Sequence, residues 1–94
     1  MILCRVEGQV VATIKHPAYA NRRMLLLDRI DPGGKESGGY LVAVDTVGAD
    51  AGQTVLVIDE GNSARQVLGN PQAPIRSVIV GIVDHVNIFD ASDW

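Results

Sequence analysis

The stretch that most constrains this chain is residues 41–65. It holds two apolar runs rich in β-branched residues, LVAVDTV at 41–47 and TVLVI at 54–58, separated by a loop that begins at Gly48 and ends at Gly52. Val- and Ile-rich runs bounded by Gly and Asp predict strands, and the two glycines supply positive φ where the chain reverses. The two runs are expected to form a hairpin, with the rest of the chain supplying the other walls of a small barrel. The 61–68 segment that follows predicts a two-turn helix, capped by Asn62 or Ser63 and ended by Gly69. A helix this short is stable only when packed on something. Its N-terminus also suits an anion, but local capping is the preferred reading.

Residues 1–15 alternate with period two. Ile2, Cys4, Val6, Val10, Ala12 and Ile14 share one parity with Gly8; Arg5, Glu7, Gln9, Thr13 and Lys15 take the other. This predicts one long strand with a single buried face, bent at Gly8. His16-Pro17 ends it, because Pro17 lacks an N–H and biases His16 away from helix. Residues 24–30 predict a second strand, and residues 31–39, DPGGKESGG, a mobile turn. Residues 75–86 predict a last strand that is apolar on both faces at its centre. Its outer face therefore needs a cover, either the short helix or another subunit.

Ninety-four residues predict one domain, with a barrel over 1–87 and a C-terminal tail over 88–94. The single cysteine, Cys4, excludes an internal disulfide, fits a reducing compartment and is read as a small buried hydrophobe. Only 4% of residues are aromatic, so the core is expected to be aliphatic. The net charge of −3, with basic residues scattered and aromatics spread out, argues against nucleic acid as a partner. Arg5 and Glu7 interrupt the N-terminal apolar residues, and no apolar run approaches the roughly 20 residues that cross a bilayer, so neither a signal peptide nor a membrane partner is expected.

Chemistry is equally hard to place. His16 has no second ligand at metal spacing, and residues 31–39 lack the GK[ST] ending of a phosphate loop. Asp84 and His85 are strand neighbours whose side chains diverge. Asp45, among valines, is either a buried carboxylate with a raised pKa or an edge or interface carboxylate that accepts hydrogen bonds from backbone N–H groups. No second polar group stands ready to make it catalytic. Neither a catalytic residue, a metal site nor a cofactor is expected.

In order and spacing, VVATIK at 10–15, LVAVD at 41–45, VGADAG at 47–52, VLV at 55–57, GNSAR at 61–65 and VGIVD at 80–84 resemble the bacterial microcompartment vertex proteins, the EutN/CcmL family. The resemblance runs from Met1 to about residue 86. Asp50 stands where the family usually has glycine, Gln53 where it favours glutamate, and Asn62 where it has the first serine of a Gly-Ser-Ser-Ala-Arg pattern. The resemblance implies an all-β fold, a five-stranded, OB-like β-barrel with one short α-helix. It further implies a homopentamer that caps the five-fold corners of a protein shell in the bacterial cytoplasm, beside hexameric shell proteins, with no catalysis. It puts Gly61, Asn62, Ser63, Ala64 and Arg65 near the five-fold axis and subunit interface, Arg65 making an inter-subunit ion pair or hydrogen bond rather than lying solvated. Thr13, Lys15 and Asp84 become candidate contacts at the subunit or shell edge. The barrel by itself suggests one rival, an OB-fold module that binds single-stranded nucleic acid.

Overall fold

Five strands account for the described part of the chain: β1 (Ile2–Val10), β2 (Arg23–Ile30), β3 (Glu36–Asp45), β4 (Thr54–Asp59) and β5 (Ser77–Val83). The computed structural model describes residues 1–11, 17, 22–60, 64, 67, 69 and 76–89. The strands close into a barrel in the order β1-β2-β3-β5-β4. Closure leaves no fully open sheet and gives each strand two neighbours. Ala64 and Val67 are helical, and Gly69 follows with a φ of 70°.

The interior is aliphatic, as the composition predicts. Cys4, Val6, Leu25, Leu27, Ala43, Ala49, Val55, Val57 and Ile79 form one buried cluster. They come from all five strands and from the loop after β3. Each large side chain among them contributes roughly 2 kcal/mol by leaving water.

Several expectations change in the fold. The runs at 41–47 and 54–58 do not make a hairpin. β5 lies between them, parallel to β3 at Val44–Val78 and Asp45–Ile79 and antiparallel to β4 from Asp59–Ser77 to Thr54–Val83. The loop joining β3 to β4 instead crosses the end of the barrel and binds β1. Gly52 N–H donates to the Val6 carbonyl at 2.8 Å, and Val6 N–H to the Gln53 carbonyl at 2.9 Å. Gly48 and Gly52 do adopt positive φ, 75° and 85°.

β1 ends at Val10, and residues 12–16 lie outside the described residues. Its alternation also breaks. Val6 pairs with Leu27 but Gly8 with Leu26, so Glu7 is an extra residue in a bulge. One extra residue reverses the side on which every later one falls. Val10 therefore pairs with Met24 on the outer face and does not continue the row of Cys4 and Val6. The bend expected at Gly8 is this bulge.

The turn between β2 and β3 is shorter than expected, because strand β3 already begins at Glu36. The turn itself is tied by Gly34 N–H to the Asp31 carbonyl at 2.9 Å, Asp31 N–H to the Lys35 carbonyl at 2.8 Å, and Lys35 N–H to Asp31 Oδ1 at 3.0 Å. At the other end of the chain β5 stops at Val83, and residues 84–89 run on, exposed, without a turn or bend.

Candidate assembly site

A second buried cluster lies on the outside of the barrel wall. Val44, Val78 and Ala64 are fully buried there, with Met24 and Val80 packed against them. Register explains it: Met24 pairs with Val44 and Val44 with Val78, so the three sit in one row across β2, β3 and β5. The helical segment that carries Ala64 thus covers the outer face of β5 at its Val78 end, while Ile82 near the other end of the strand stays exposed. Ala64 N–H donates to the Glu60 carbonyl at 2.9 Å, which begins that turn directly after β4. An alanine lets the segment approach closely; a larger side chain would hold it off the strands.

A polar cluster fixes β4 where it leads into this segment. Asp59, the last residue of β4, accepts a hydrogen bond from Ser77 Oγ at 2.5 Å and faces Arg29 Nη2 at 3.5 Å and Arg76 Nε at 3.4 Å. β2, β4 and the start of β5 therefore converge on one carboxylate. The sequence carried no signal for this group, because its partners lie in separate strands.

The other barrel end is closed by Asp45. Its side chain is 3% exposed. Oδ1 accepts from the N–H groups of Val47 at 3.0 Å and Gly48 at 3.1 Å, and Oδ2 from Ala49 N–H at 3.1 Å. Arg23 Nη1 donates to Oδ2 at 3.2 Å and to the Ala49 carbonyl at 2.7 Å. The Asp45 side chain is thus buried, as the first reading has it, and not at an edge, but it accepts backbone N–H bonds, as the second has it. With its oxygens so engaged, it organises the loop.

Of the residues expected at the five-fold axis, Ala64 is the one described, buried against its own barrel. Gly61, Asn62, Ser63 and Arg65 lie outside the described residues, as do Thr13 and Lys15. Asp84 is exposed, just after β5. With His85 it borders a groove of about 190 Å³ between the start of the tail and the β2–β3 turn, whose other walls include Leu3, Ile30, Asp31 and Thr54.

Cys4 is fully buried, and burial pushes its thiol up to about 11 from 9.0, with the nearby Arg29 opposing the rise and Asp28 and Asp59 adding to it. The thiolate is the reactive form. Native protein at pH 8 is therefore expected to resist a disulfide-exchange reagent such as Ellman's, and one thiol per chain to react once denaturant is added. Rapid labelling of the native protein would show that the strand β1 opens easily.

Among the described residues, no group of three or more His, Cys, Asp or Glu side chains is placed to hold a metal ion, and no helix is long and apolar enough to cross a membrane. What the described surface does offer is apolar area on the strands and tail. Tyr40, Val42, Ile82, Val86 and Ile88 are all exposed.

Similar proteins share this whole barrel. Residues 1–84 match the family described as ethanolamine utilisation protein EutN/carboxysome. The bacterial microcompartment shell vertex protein EutN of Escherichia coli is 40% identical over 86 residues, 92% of this chain and 90% of that one. The carboxysome shell vertex protein CcmL of Gloeobacter violaceus is 40% identical over 88 residues, 94% of this chain and 87% of that one. Its solved structure superposes with a TM-score of 0.84. The GrpN pentameric microcompartment shell protein from Rhodospirillum rubrum has a TM-score of 0.83 at 37% identity, over 95% of this chain and 100% of that one. The five-stranded closed barrel, the ordered motifs and these matches along nearly its full length together establish that the chain belongs to the EutN/CcmL family.

Proposed function

We propose that this chain is a structural shell protein, which forms homopentamers that cap the five-fold vertices of a bacterial microcompartment in the cytoplasm. The observation that carries this is the 40% identity to shell vertex proteins across almost the entire barrel. The pentameric state of the Rhodospirillum rubrum relative of the same fold supports the number five. Exposed apolar side chains on the strands and tail of so small a barrel also suit a protein that is completed by copies of itself.

In this reading the protein catalyses nothing. Its product is curvature: a layer of flat hexamers closes into a polyhedron only where five-fold units stand at the corners. Hexameric shell proteins are accordingly its neighbours, and neither nucleic acid nor a membrane is a partner. Residues 61–65 border the five-fold axis. The Asp59 cluster and the buried Ala64 hold that segment to the barrel from which the ring is built. Thr13, Lys15 and Asp84 contact the adjoining subunit or shell edge, and the barrel of 1–87 is the shell domain, with 88–94 a tail outside it.

The test is the mass of the purified protein in solution. Light scattering coupled to size exclusion is expected to give one species of five times the chain mass. A monomer or dimer at micromolar concentration would remove this reading.

A further inference from the structure

Strand β3 is paired very unequally on its two edges. On the β2 side it is matched from Asp45 to Tyr40 and again at Glu36, with an irregularity across residues 37–39. On the β5 side it is matched only at Val44 and Asp45. Among the described residues, 36–43 therefore meet no strand along that second edge. An open edge presents unpaired N–H and C=O groups and is a template for another extended segment. The outer face beside it is apolar and uncovered: Tyr40 is 69% and Val42 41% exposed, and the two share a parity.

The chain also carries a segment of matching form. Residues 84–89 leave β5 without a turn or bend and are exposed throughout. Val86 and Ile88 share a parity and are 41% and 68% exposed. Six extended residues span roughly 20 Å, more than the roughly 13 Å of the regular part of the open edge, residues 40–43, so the tail fits along it. The start of the tail lies by its own β2–β3 turn, bordering the groove with Asp31, and leaves the Tyr40 and Val42 of its own barrel uncovered.

We propose that residues 84–89 of one subunit add as a strand to the open edge of β3 in the next subunit, with Val86 and Ile88 lying beside Tyr40 and Val42 on the same face. Main-chain hydrogen bonds supply affinity in such strand addition, and the alternate side chains supply register. Each subunit gives one tail and receives one. The contact joins two different patches, the head-to-tail kind that closes into a ring when the rotation fits. This inference rests on the pentamer reading and adds the surfaces that meet in it.

The test uses full-length chains with one cysteine on each side: Tyr40→Cys or Val42→Cys combined with Val86→Cys or Ile88→Cys. The native Cys4 is buried, so it contributes little background. A disulfide forms only when the two Cα atoms come within about 7 Å. Mild oxidation of at least one pair is expected to give a ladder of covalent multimers up to five chains on a non-reducing gel. Mixing the two matching single variants is expected to give covalent dimers. Three results overturn the proposal. A ring of five chain masses that stays unlinked in all four pairs shows that the tail lies elsewhere while the pentamer stands. A disulfide confined within one chain shows that the tail serves its own barrel. A monomer removes the pentamer, and this contact with it.

Discussion

Replacing Asp45 by alanine is expected to destabilise the protein by about 3 kcal/mol, a large share of what so small a domain has. The carboxylate accepts hydrogen bonds from three consecutive loop residues and from Arg23, which also holds the Ala49 carbonyl. Alanine leaves these N–H groups without their acceptor where Ala49 is buried, and each orphaned donor costs roughly 1–3 kcal/mol. Arg23 is half-exposed and recovers part of its loss from water. Its share is therefore the smaller one, and the loop N–H groups carry most of the effect. Asp45→Asn keeps one oxygen acceptor and should fall between the two. Urea unfolding of all three at one protein concentration measures this, since assembly makes apparent stability depend on concentration. An unchanged midpoint for Asp45→Ala would mean that the loop holds its shape through its contacts with β1 alone.

Ala64→Asp is expected to abolish the ring while sparing the barrel. Ala64 is fully buried against Val44 and Val78, with Met24 and Val80 beside it, so a carboxylate there has no partner in its cluster. Burying an unpaired charge costs several kcal/mol, more than the short helical segment at Ala64 gains by docking. The segment should therefore detach. The interior cluster of nine buried residues is separate and stays intact. The expected result is a strand-type circular dichroism spectrum with loss of the five-fold mass. Ala64→Gly, which leaves the site uncharged, should assemble with a modest loss of stability. A pentamer of unchanged mass and melting temperature from Ala64→Asp would show that this segment takes no part in forming the ring.

Strand content was legible because it is written locally. The runs at 24–30 and 54–58 have strand composition, and β2 and β4 stand almost where those runs do. The need for a cover over β5 was likewise readable from valine and isoleucine on both of its faces, and Ala64 meets it at the Val78 end. The two halves of the central stretch misled, because a glycine-bounded loop between two strands looks the same whether or not the strands pair. Insertion of β5 between β3 and β4 depends on residues some twenty positions downstream. Ser37, Gly38 and Gly39 misled in the opposite sense. Their composition is that of a turn, but they fall inside β3, as an irregularity between the flanking β2 pairs at Tyr40 and Glu36.

By itself the sequence determined an aliphatic all-β barrel without a staple and, through the order of its motifs, the family. Those are properties of composition, period and spacing, which do not depend on which strand lies beside which. The tertiary structure alone decided the strand order, the bulge at Glu7 that turns Val10 outward, and the gathering of Arg29, Arg76 and Ser77 around Asp59. Each of these brings together groups distant in the chain, and such contacts are set by closure of the barrel, not by any local preference of the residues that make them.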